Sequence, residues 1–486
     1  MATPAIAFDI DGVFKAGRYF FPDGLKALAD ARAAGCAVSF VTNGGGGLGE
    51  EEYLLGFKKK ILAASDEANE ETKAELAKAL DSIGTESMIL SYTPMGEDPA
   101  FLDQRILLVG DPKEKIKAAA ASYGWSRAVH VSDYVAKHPT VDPFGAARRE
   151  GTSHTAVVNG SGPRPAGSAQ GDLKTSSTLQ SDDGGDCFDC VVVMTDPHDW
   201  FESLQVAVDV VVSSDPNSVE VMEFDVGRNH VQVHFSNPDI FWKAEHAQPR
   251  FGQGAFRLAF EALLRSRLNL LKAPPALIDM RLRECVVQWG KPSEPTLNCA
   301  ERRLDAIRTR EQAGAHGVVE KGKQGCSSGS LGAGRGSNFW MVGDNPASDM
   351  ALSALGGQRW RGCLVKTGVY VDTDARCGAQ EAVEGVSDAV AFILQTHADD
   401  RAAAALVEAK RAFACAQTPN PIEACGNSKC GFAGCTCGAL CACGGATAAA
   451  TGAGAAVVVV GVVCDPCKQA VVAKKASTAA EADLKS

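Results

Sequence analysis

The sequence predicts an α/β protein built on a Rossmann-like, doubly wound parallel sheet. Three observations carry that prediction. An apolar run, a helical stretch and a second apolar run follow one another within the first 43 residues. That order makes a right-handed parallel unit. The same alternation returns further along the chain, and carboxylates, glycines or a lysine stand at the ends of several runs, where ligands bind in open parallel sheets.

Taken in order, residues 5–8 of "AIAFDIDGVF" read as a buried strand, ending at Asp9 with a second carboxylate at Asp11. Residues 23–34, "DGLKALADARAA", carry apolar residues at helical spacing and stop before Gly35. "CAVSFVTN" reads as the next buried strand and runs into "GGGGLG". A second α/β block follows. "SMILSY", "RILLVGD" and "CVVVMTDP" read as its strands, "KEKIKAAAASYG" as a helix, and "LQVAVDVVVS" as a helix or a strand. "NFWMVGDN" and "GCLVKTGVY" return to strand-then-loop patterning. Residues 150–186 are rich in Gly, Ser, Thr, Pro and Asp without periodicity, and are expected to form a disordered surface insertion; residues 308–337 are expected to form another. From about residue 396 the chain turns Ala-rich, then Cys- and Gly-rich.

With 486 residues the chain has room for two or three domains. Its net charge of −11 argues against a nucleic-acid partner, which calls for a basic footprint. The first strand begins by Ala5 and leaves no space for a signal or Arg-rich presequence, so a cytoplasmic location is expected. The apolar stretch from Ala446 to Val463 is mostly Ala, Gly and Thr, so no stable membrane span is expected. Seventeen cysteines without a secretory signal favour metal thiolates over disulfides.

Four segments carry chemistry: "FDIDGV" (8–13), "VTNGG" (41–45), "GKPS" (290–293) and "GDNPASD" (343–349). Together they supply what phosphoryl transfer needs. Asp9 would be a nucleophile. Asp11, on the same side of an extended chain, would serve as acid and base. Asp344 and Asp349 would complete an oxygen-ligand site for Mg²⁺. Lys291 would neutralise the carboxylates and the transferring group. Thr42, with the amides of Asn43 and Gly44, would bind phosphate oxygens. Asn237 and Asp239 default to a turn role, with substrate contact as the functional alternative. The rival dinucleotide reading rests on Gly44, Gly46 and Gly49, a G-x-G-x-x-G. Its expected acid about twenty residues on, Asp66, lies in a charged helical stretch instead of ending a strand. "VGDP" (109–112) lacks an aspartate five residues on, so Asp111 reads as a loop residue. His198, Asp199 and Trp200 read either as substrate-sorting residues or as a helix cap and a packed ring.

In this order the four segments resemble motifs I to IV of the haloacid dehalogenase superfamily. The long block between Thr42 and Lys291 resembles the inserted α/β cap of its subclass IIA. "SYTPM", "TDPHDW", "FSNPDIFW", "PRFGQGAFR" and "LVKTGVY" are similar to the branch typified by cat eye syndrome critical region protein 5, with Tyr92 where relatives often carry His. The resemblance spans roughly residues 5–395. It implies Asp9 as nucleophile, Asp11 as acid/base, Thr42 as phosphate binder and Lys291 as the charge-stabilising lysine. It also implies Mg²⁺ held by Asp9, the Asp11 carbonyl and Asp344, with Asp349 a ligand or its partner. A mitochondrial location is the alternative it implies.

The expected organisation is therefore a hydrolase core in residues 1–50 and 235–395, a cap in residues 51–234, and a disordered tail in residues 396–486. The expected activity is Mg²⁺-dependent hydrolysis of a small phosphorylated substrate. A non-catalytic binding protein of the same fold is one alternative. Metal storage in the tail is another: Cys425, Cys430, Cys435, Cys437, Cys441 and Cys443 include two C-x-C pairs, and Cys464 and Cys467 form a C-x-x-C. Such thiolates suit Zn²⁺ or Cu⁺, and the segment weakly resembles metallothionein.

Overall fold

A computed structural model of the chain describes residues 3–64, 70–141, 187–213, 231–315 and 338–416. The chain divides into two compact units, Ala2–Leu394 and a second that begins at Gln395. Within the first, β1 (Ala5–Phe8) leads through a small hairpin of β2 (Lys15–Ala16) and β3 (Tyr19–Phe20) to α1 (Gly24–Ala33) and β4 (Ala37–Val41). Helices α2 (Glu50–Ala64) and α3 (Glu70–Asp81) precede β5 (Met88–Ile89) and the short α4 (Thr93–Gly96). Next come β6 (Ile106–Val109), α5 (Lys113–Ser122), β7 (Val129–His130), α6 (Val131–Lys137), β8 (Cys190–Val193), α7 (Trp200–Ser213) and β9 (Gln232–Phe235). A second hairpin, β10 (Phe241–Trp242) and β11 (Arg250–Phe251), leads to α8 (Gln253–Leu270), α9 (Pro275–Cys285) and β12 (Val286–Gln288). The chain then forms α10 (Glu294–Ala315), β13 (Phe339–Gly343), α11 (Ala351–Leu355), β14 (Trp360–Val365), β15 (Glu381–Val383) and α12 (Val386–Ala416).

Two parallel sheets result. The first has the order β15-β14-β13-β1-β4-β5, so β1 is central and the chain winds outward in both directions from it. The second has the order β12-β9-β8-β6-β7. Strands buried on both faces need unbroken apolar runs, and β1, β4, β6, β8 and β13 are buried throughout. Alternate residues feed opposite layers. Ile6 and Phe8 enter one core cluster, while Ala5 and Ala7 enter another across the sheet. The cluster of Ile6 and Phe8 also holds Ile106, Leu108, Cys190 and Val192 from one face of the second sheet. Phe101, Trp125 and Trp289 belong to the same cluster, so one apolar layer joins the two sheets.

Several expectations change here. β5, from "SMILSY", pairs with β4 in the first sheet, beyond the expected boundary at residue 50. β9 and β12 lie in the second sheet, so residues past 235 still contribute to it. A short apolar strand carries no mark of its partner; tertiary packing decides. "LQVAVDVVVS" is helical in α7. Residues 308–315 of the insertion expected at 308–337 are helical, because α10 continues to Ala315; residues 316–337 lie outside the described residues. Arg308 stacks over the Phe339 ring at 5.3 Å and pairs with Asp305, and Arg310 bonds Glu86 at 2.6 Å, which holds the last turns in place. α12 carries the Ala-rich stretch to residue 416 as a helix, in keeping with the high helix propensity of Ala. The expected insertion at 150–186 and all eight cysteines from Cys425 to Cys467 lie outside the described residues. Among the described residues, no helix is long and apolar enough to cross a membrane.

Candidate active site

The carboxyl ends of β1, β4 and β13 are neighbours, and each ends directly in a site residue: Asp9, Thr42 and Asp344. The Asp9 amide continues the β1–β13 ladder by donating to the Val342 carbonyl at 2.8 Å. Its carboxylate accepts from the Ile10 amide at 2.7 Å, which fixes the side chain at the strand end. Beneath it Phe8, Phe14, Phe40 and Phe57 pack ring against ring with centroids 4.8–6.5 Å apart. The turn after Asp11 depends on Gly12. Its φ is +83°, and an added Cβ would lie 2.3 Å from the Asp344 carboxylate.

Asp344 is held by the Val369 amide, which donates to Oδ2 at 2.7 Å. Asn345 accepts from the Ala347 amide at 3.0 Å and starts a wide, π-type helical turn over Pro346–Met350. That turn swings Asp349 back under Asp344, where its Oδ2 accepts from the Asn345 amide at 3.0 Å. Lys291 completes the group. Its Nζ lies 2.9 Å from Asp9 Oδ1 and 2.6 Å from Asp349 Oδ1, with 1% of the side chain exposed. Two of the three buried carboxylates, Asp9 and Asp349, thus share one buried ammonium. Burial alone would lower the Lys291 pKa; the Asp349 and Asp9 carboxylates outweigh it and hold it above the usual lysine value. Burial, reinforced by neighbouring carboxylates, pushes Asp344 and Asp349 up, with Lys291 opposing the shift. Oxygens of Asp9, Asp344 and Asp349 lie within 4.8 Å of one another, so the cluster can accept a hard cation.

Asp11 turns away from this trio and pairs with Lys15, a partner the sequence reading missed although it stands four residues on. Burial raises the Asp11 pKa against the pull of Lys15. A Cβ placed on Gly44 would lie 3.4 Å from Thr42 Oγ1 and 3.6 Å from Asp11 Oδ2, so both groups flank that glycine. Thr42 Oγ1 accepts from the Gly44 amide at 3.0 Å.

Asn43 has a larger structural part than its backbone amide suggested. Its Nδ2 donates to Asp239 Oδ2 and to the Lys291 carbonyl, each at 3.0 Å, and its Oδ1 accepts from the Lys291 amide at 2.6 Å. One side chain therefore ties the loops after β4, β9 and β12 together. Asn237 accepts from the Asp239 amide at 2.7 Å, the local turn expected of it, and the turn delivers Asp239 to the site. Burial raises Asp239 to about 6 despite Lys291 nearby.

A cavity of about 640 Å³ opens above these residues. Asp9, Asp11, Thr42, Asn43, Gly44 and Asp344 form part of its wall, and the ends of β6, β8 and β9 add Asp111, Asp196 and Asn237. Lys291 and Asp349 are not part of that wall. His198 lines the cavity, and its amide donates to Asp111 Oδ2 at 2.7 Å. Asp199 accepts from the Glu202 amide at 3.0 Å as a cap of α7, and Trp200 packs edge-on against Phe256. Tyr92 is fully buried and donates to the Leu48 carbonyl at 2.6 Å. Val369, Asn345 and Lys15 were also missed. "TGVY" directly after an apolar run was the available signal for the first.

A family model described as haloacid dehalogenase (HAD)-hydrolase-like matches residues 288–391. A mitochondrial hydrolase of Saccharomyces cerevisiae is 31% identical over 399 residues, covering 81% of this chain and 96% of the yeast protein. A cardiolipin synthase (CMP-forming)/mitochondrial hydrolase fusion protein of Schizosaccharomyces pombe is 24% identical over 404 residues, 82% of this chain and 54% of the fusion, so the chain spans about half of that relative. Among solved structures, a p-nitrophenyl phosphatase from Archaeoglobus fulgidus superposes with a TM-score of 0.43 at 14% identity, covering 81% of this chain and all of the other. The chain belongs to the haloacid dehalogenase-like hydrolases, and it is an enzyme of that class.

Proposed function

We propose that the protein is a phosphate-monoester phosphatase with Asp9 as its nucleophile. The observation that carries this reading is the buried Lys291 ammonium between Asp9 and Asp349 at the carboxyl end of the central strand. An Asp9 oxygen attacks phosphorus, the bond from phosphorus to the ester oxygen breaks, and an aspartyl-phosphate forms. Asp11, on the cavity wall, gives a proton to the leaving oxygen. It then takes a proton from the water that hydrolyses the acyl phosphate. Lys291 offsets the negative charge of the carboxylates throughout. Thr42, Asn43, Gly44, Asn237 and Asp239 all line the cavity, which supports a phosphate-binding role for the first three and substrate contact for the other two.

The all-oxygen donor set of Asp9, Asp344 and Asp349 fits Mg²⁺, which would be held by Asp9, Asp344 and the Asp11 carbonyl. Asp349, already engaged by Lys291 and the Asn345 amide, orients the group. When bound, Mg²⁺ supplies neutralisation of the phosphoryl charge.

Turnover of a panel of phosphate monoesters by wild type and Asp9→Asn tests the reading. Asn cannot form the acyl phosphate, so a loss of at least about 10³-fold is expected; equal turnover on every substrate would sink it. Asp11→Asn is expected to lose about 10²–10⁴ on alkyl phosphates. The loss should be much smaller on p-nitrophenyl phosphate, whose leaving group needs no proton.

The two yeast relatives are both named mitochondrial, which supports a mitochondrial location over the cytoplasmic one expected from the N-terminal residues. The fission-yeast protein joins its hydrolase to an enzyme named for making a membrane lipid, which supports a lipid setting for the substrate. Recovery of the chain with cytosol on fractionation would reject the mitochondrial assignment.

A further inference from the structure

The mouth of the cavity is built by the two small hairpins. Lys15–Phe20 and Phe241–Phe251 meet across it: the Arg18 amide donates to Glu245 Oε1 at 2.8 Å, and the Arg18 guanidinium lies 3.7 Å from the same oxygen. At Gly17, with φ +59°, an added Cβ would lie 2.4 Å from the Glu245 carboxylate, so the two tips are in close contact. Gly17, Arg18, Phe241, Trp242, Lys243 and Glu245 line the opening.

What these hairpins expose is unusual for a surface. Phe251 is 68% exposed, Tyr19 62% and Phe241 51%, with Trp242 and Ile240 exposed beside them. The Phe241 and Phe251 rings pack at 5.7 Å, and the Trp242 indole donates to the Phe251 carbonyl at 3.3 Å, so the aromatics of the second hairpin form one fixed patch, while Tyr19 is exposed on the first and packs against Phe21. A contiguous apolar patch ringed by polar groups marks an interaction surface. The charges around it point to the partner. Arg18, Lys243 and Arg250 stand against a single carboxylate, Glu245, on a chain whose net charge is −11. Arg250 bonds only the carbonyls of Gln248 and Pro249, and Lys243 has no hydrogen bond or ion pair among the described residues. Trp, Tyr and Phe beside unpaired cations are the combination that settles at the headgroup level of an anionic bilayer.

We propose that the two hairpins dock on an anionic phospholipid bilayer and that the substrate is the phosphomonoester headgroup of a glycerolipid held in it, a reading that rests on the phosphatase function above. The headgroup enters the cavity toward Asp9. The acyl chains stay in the bilayer, against the aromatic rim. The cavity of about 640 Å³ is the size of a small-molecule site, suited to a phosphate and a compact polar head.

The test uses the full chain and vesicles of phosphatidylcholine, alone or with phosphatidylglycerol. Wild type is expected to co-sediment with the anionic vesicles, and less so as salt is raised. The double variant Tyr19→Ser, Phe251→Ser, outside the cavity wall, is expected to bind at least about tenfold more weakly. Arg250→Ser should bind roughly fivefold more weakly. Both should keep wild-type turnover of soluble p-nitrophenyl phosphate, which also shows that they fold. In parallel, turnover of phosphatidate in the same vesicles is expected to exceed that of soluble glycerol 3-phosphate in wild type and to fall in the double variant. Absence of vesicle binding by wild type, or equal binding by the variants, overturns the docking proposal. If soluble monoesters are still hydrolysed in that case, the phosphatase reading stands without it. Vesicle binding with no turnover of any monoester would overturn the substrate assignment and the phosphatase reading together. Light scattering closes the remaining route: a dimer of wild type that becomes a monomer in the double variant, with vesicle binding unchanged, would give the rim to a second copy of the chain and overturn the proposal.

Discussion

The first and second sheets use the same strand chemistry and spend their carboxyl ends differently. Both are parallel, both have a central strand buried throughout, and both aim the ends of strands at one cavity. The first sheet ends in Asp9 and Asp344, buried charges locked by backbone amides and by Lys291. The central strand of the second, β8, leads into Asp196 and His198, which line the cavity, the His198 side chain 88% exposed. Burial makes charge strong and costly, so the half that concentrates it must be fixed by several contacts per group. Groups that carry no such burden can stay wet, as His198 does.

The comparison can be broken most sharply at Lys291. Lys291→Met removes the one cation shared by Asp9 and Asp349 and leaves two buried carboxylates without it. A loss of about 3–5 kcal/mol is expected in urea denaturation. A second change, Asp349→Asn, should recover part of it; a midpoint unchanged from wild type would mean the trio does not hold the loops. The second sheet has its own buried ionisable group, and pH probes it. His234, on β9, accepts a hydrogen bond from the Trp289 indole at 3.1 Å through Nδ1, and burial lowers its pKa to about 4. Its folded pKa lies below the unfolded value, so the unfolded chain binds more protons between the two. Its contribution is present above about pH 6.5 and is lost as pH falls toward 4, a change of about 3 kcal/mol. Denaturation midpoints of wild type and His234→Gln from pH 7 to 4.5 should converge as pH falls; parallel curves would exclude the effect. The smallest change belongs to the wet wall. His198→Ala is expected to move stability by no more than about 0.5 kcal/mol, while shifting kcat/KM by different factors for monoesters of different size. Equal factors for all substrates would remove His198 from substrate sorting.

The two halves also differed in how far the sequence made them legible. Asp9, Thr42 and Asp344 each stand directly after an apolar run, and the rule that parallel sheets bind ligands at their carboxyl ends was enough to bring them together. Lys291 follows a strand of the other sheet, so only the motif order placed it with them. The sheet membership of β5, β9 and β12 was not readable, because strands of two to four residues gain their partners from packing around them. The bonds of Asn43 to Lys291 and Asp239 join residues 248 and 196 positions apart, and no local pattern encodes such a contact. The continuation of α10 past residue 308 was masked by small and polar residues, and two of the contacts that hold it, Arg308 over Phe339 and Arg310 with Glu86, lie on other segments.

The link between Asn43 and Lys291 also sets an order of events at the ribosome. Asp9 and Asn43 leave the exit tunnel early, and the lysine that joins them follows 248 residues after Asn43. At ordinary synthesis rates that gap lasts on the order of tens of seconds. Throughout it the central strand must end in a carboxylate with no counter-charge, so β1 and β4 can pack only with that end open to water. The site is closed in two stages, first by Lys291 in the loop after the last strand of the second sheet, then by β13 with Asp344 and Asp349. The nascent enzyme is therefore expected to remain without activity until Asp349 has followed Lys291 out of the tunnel.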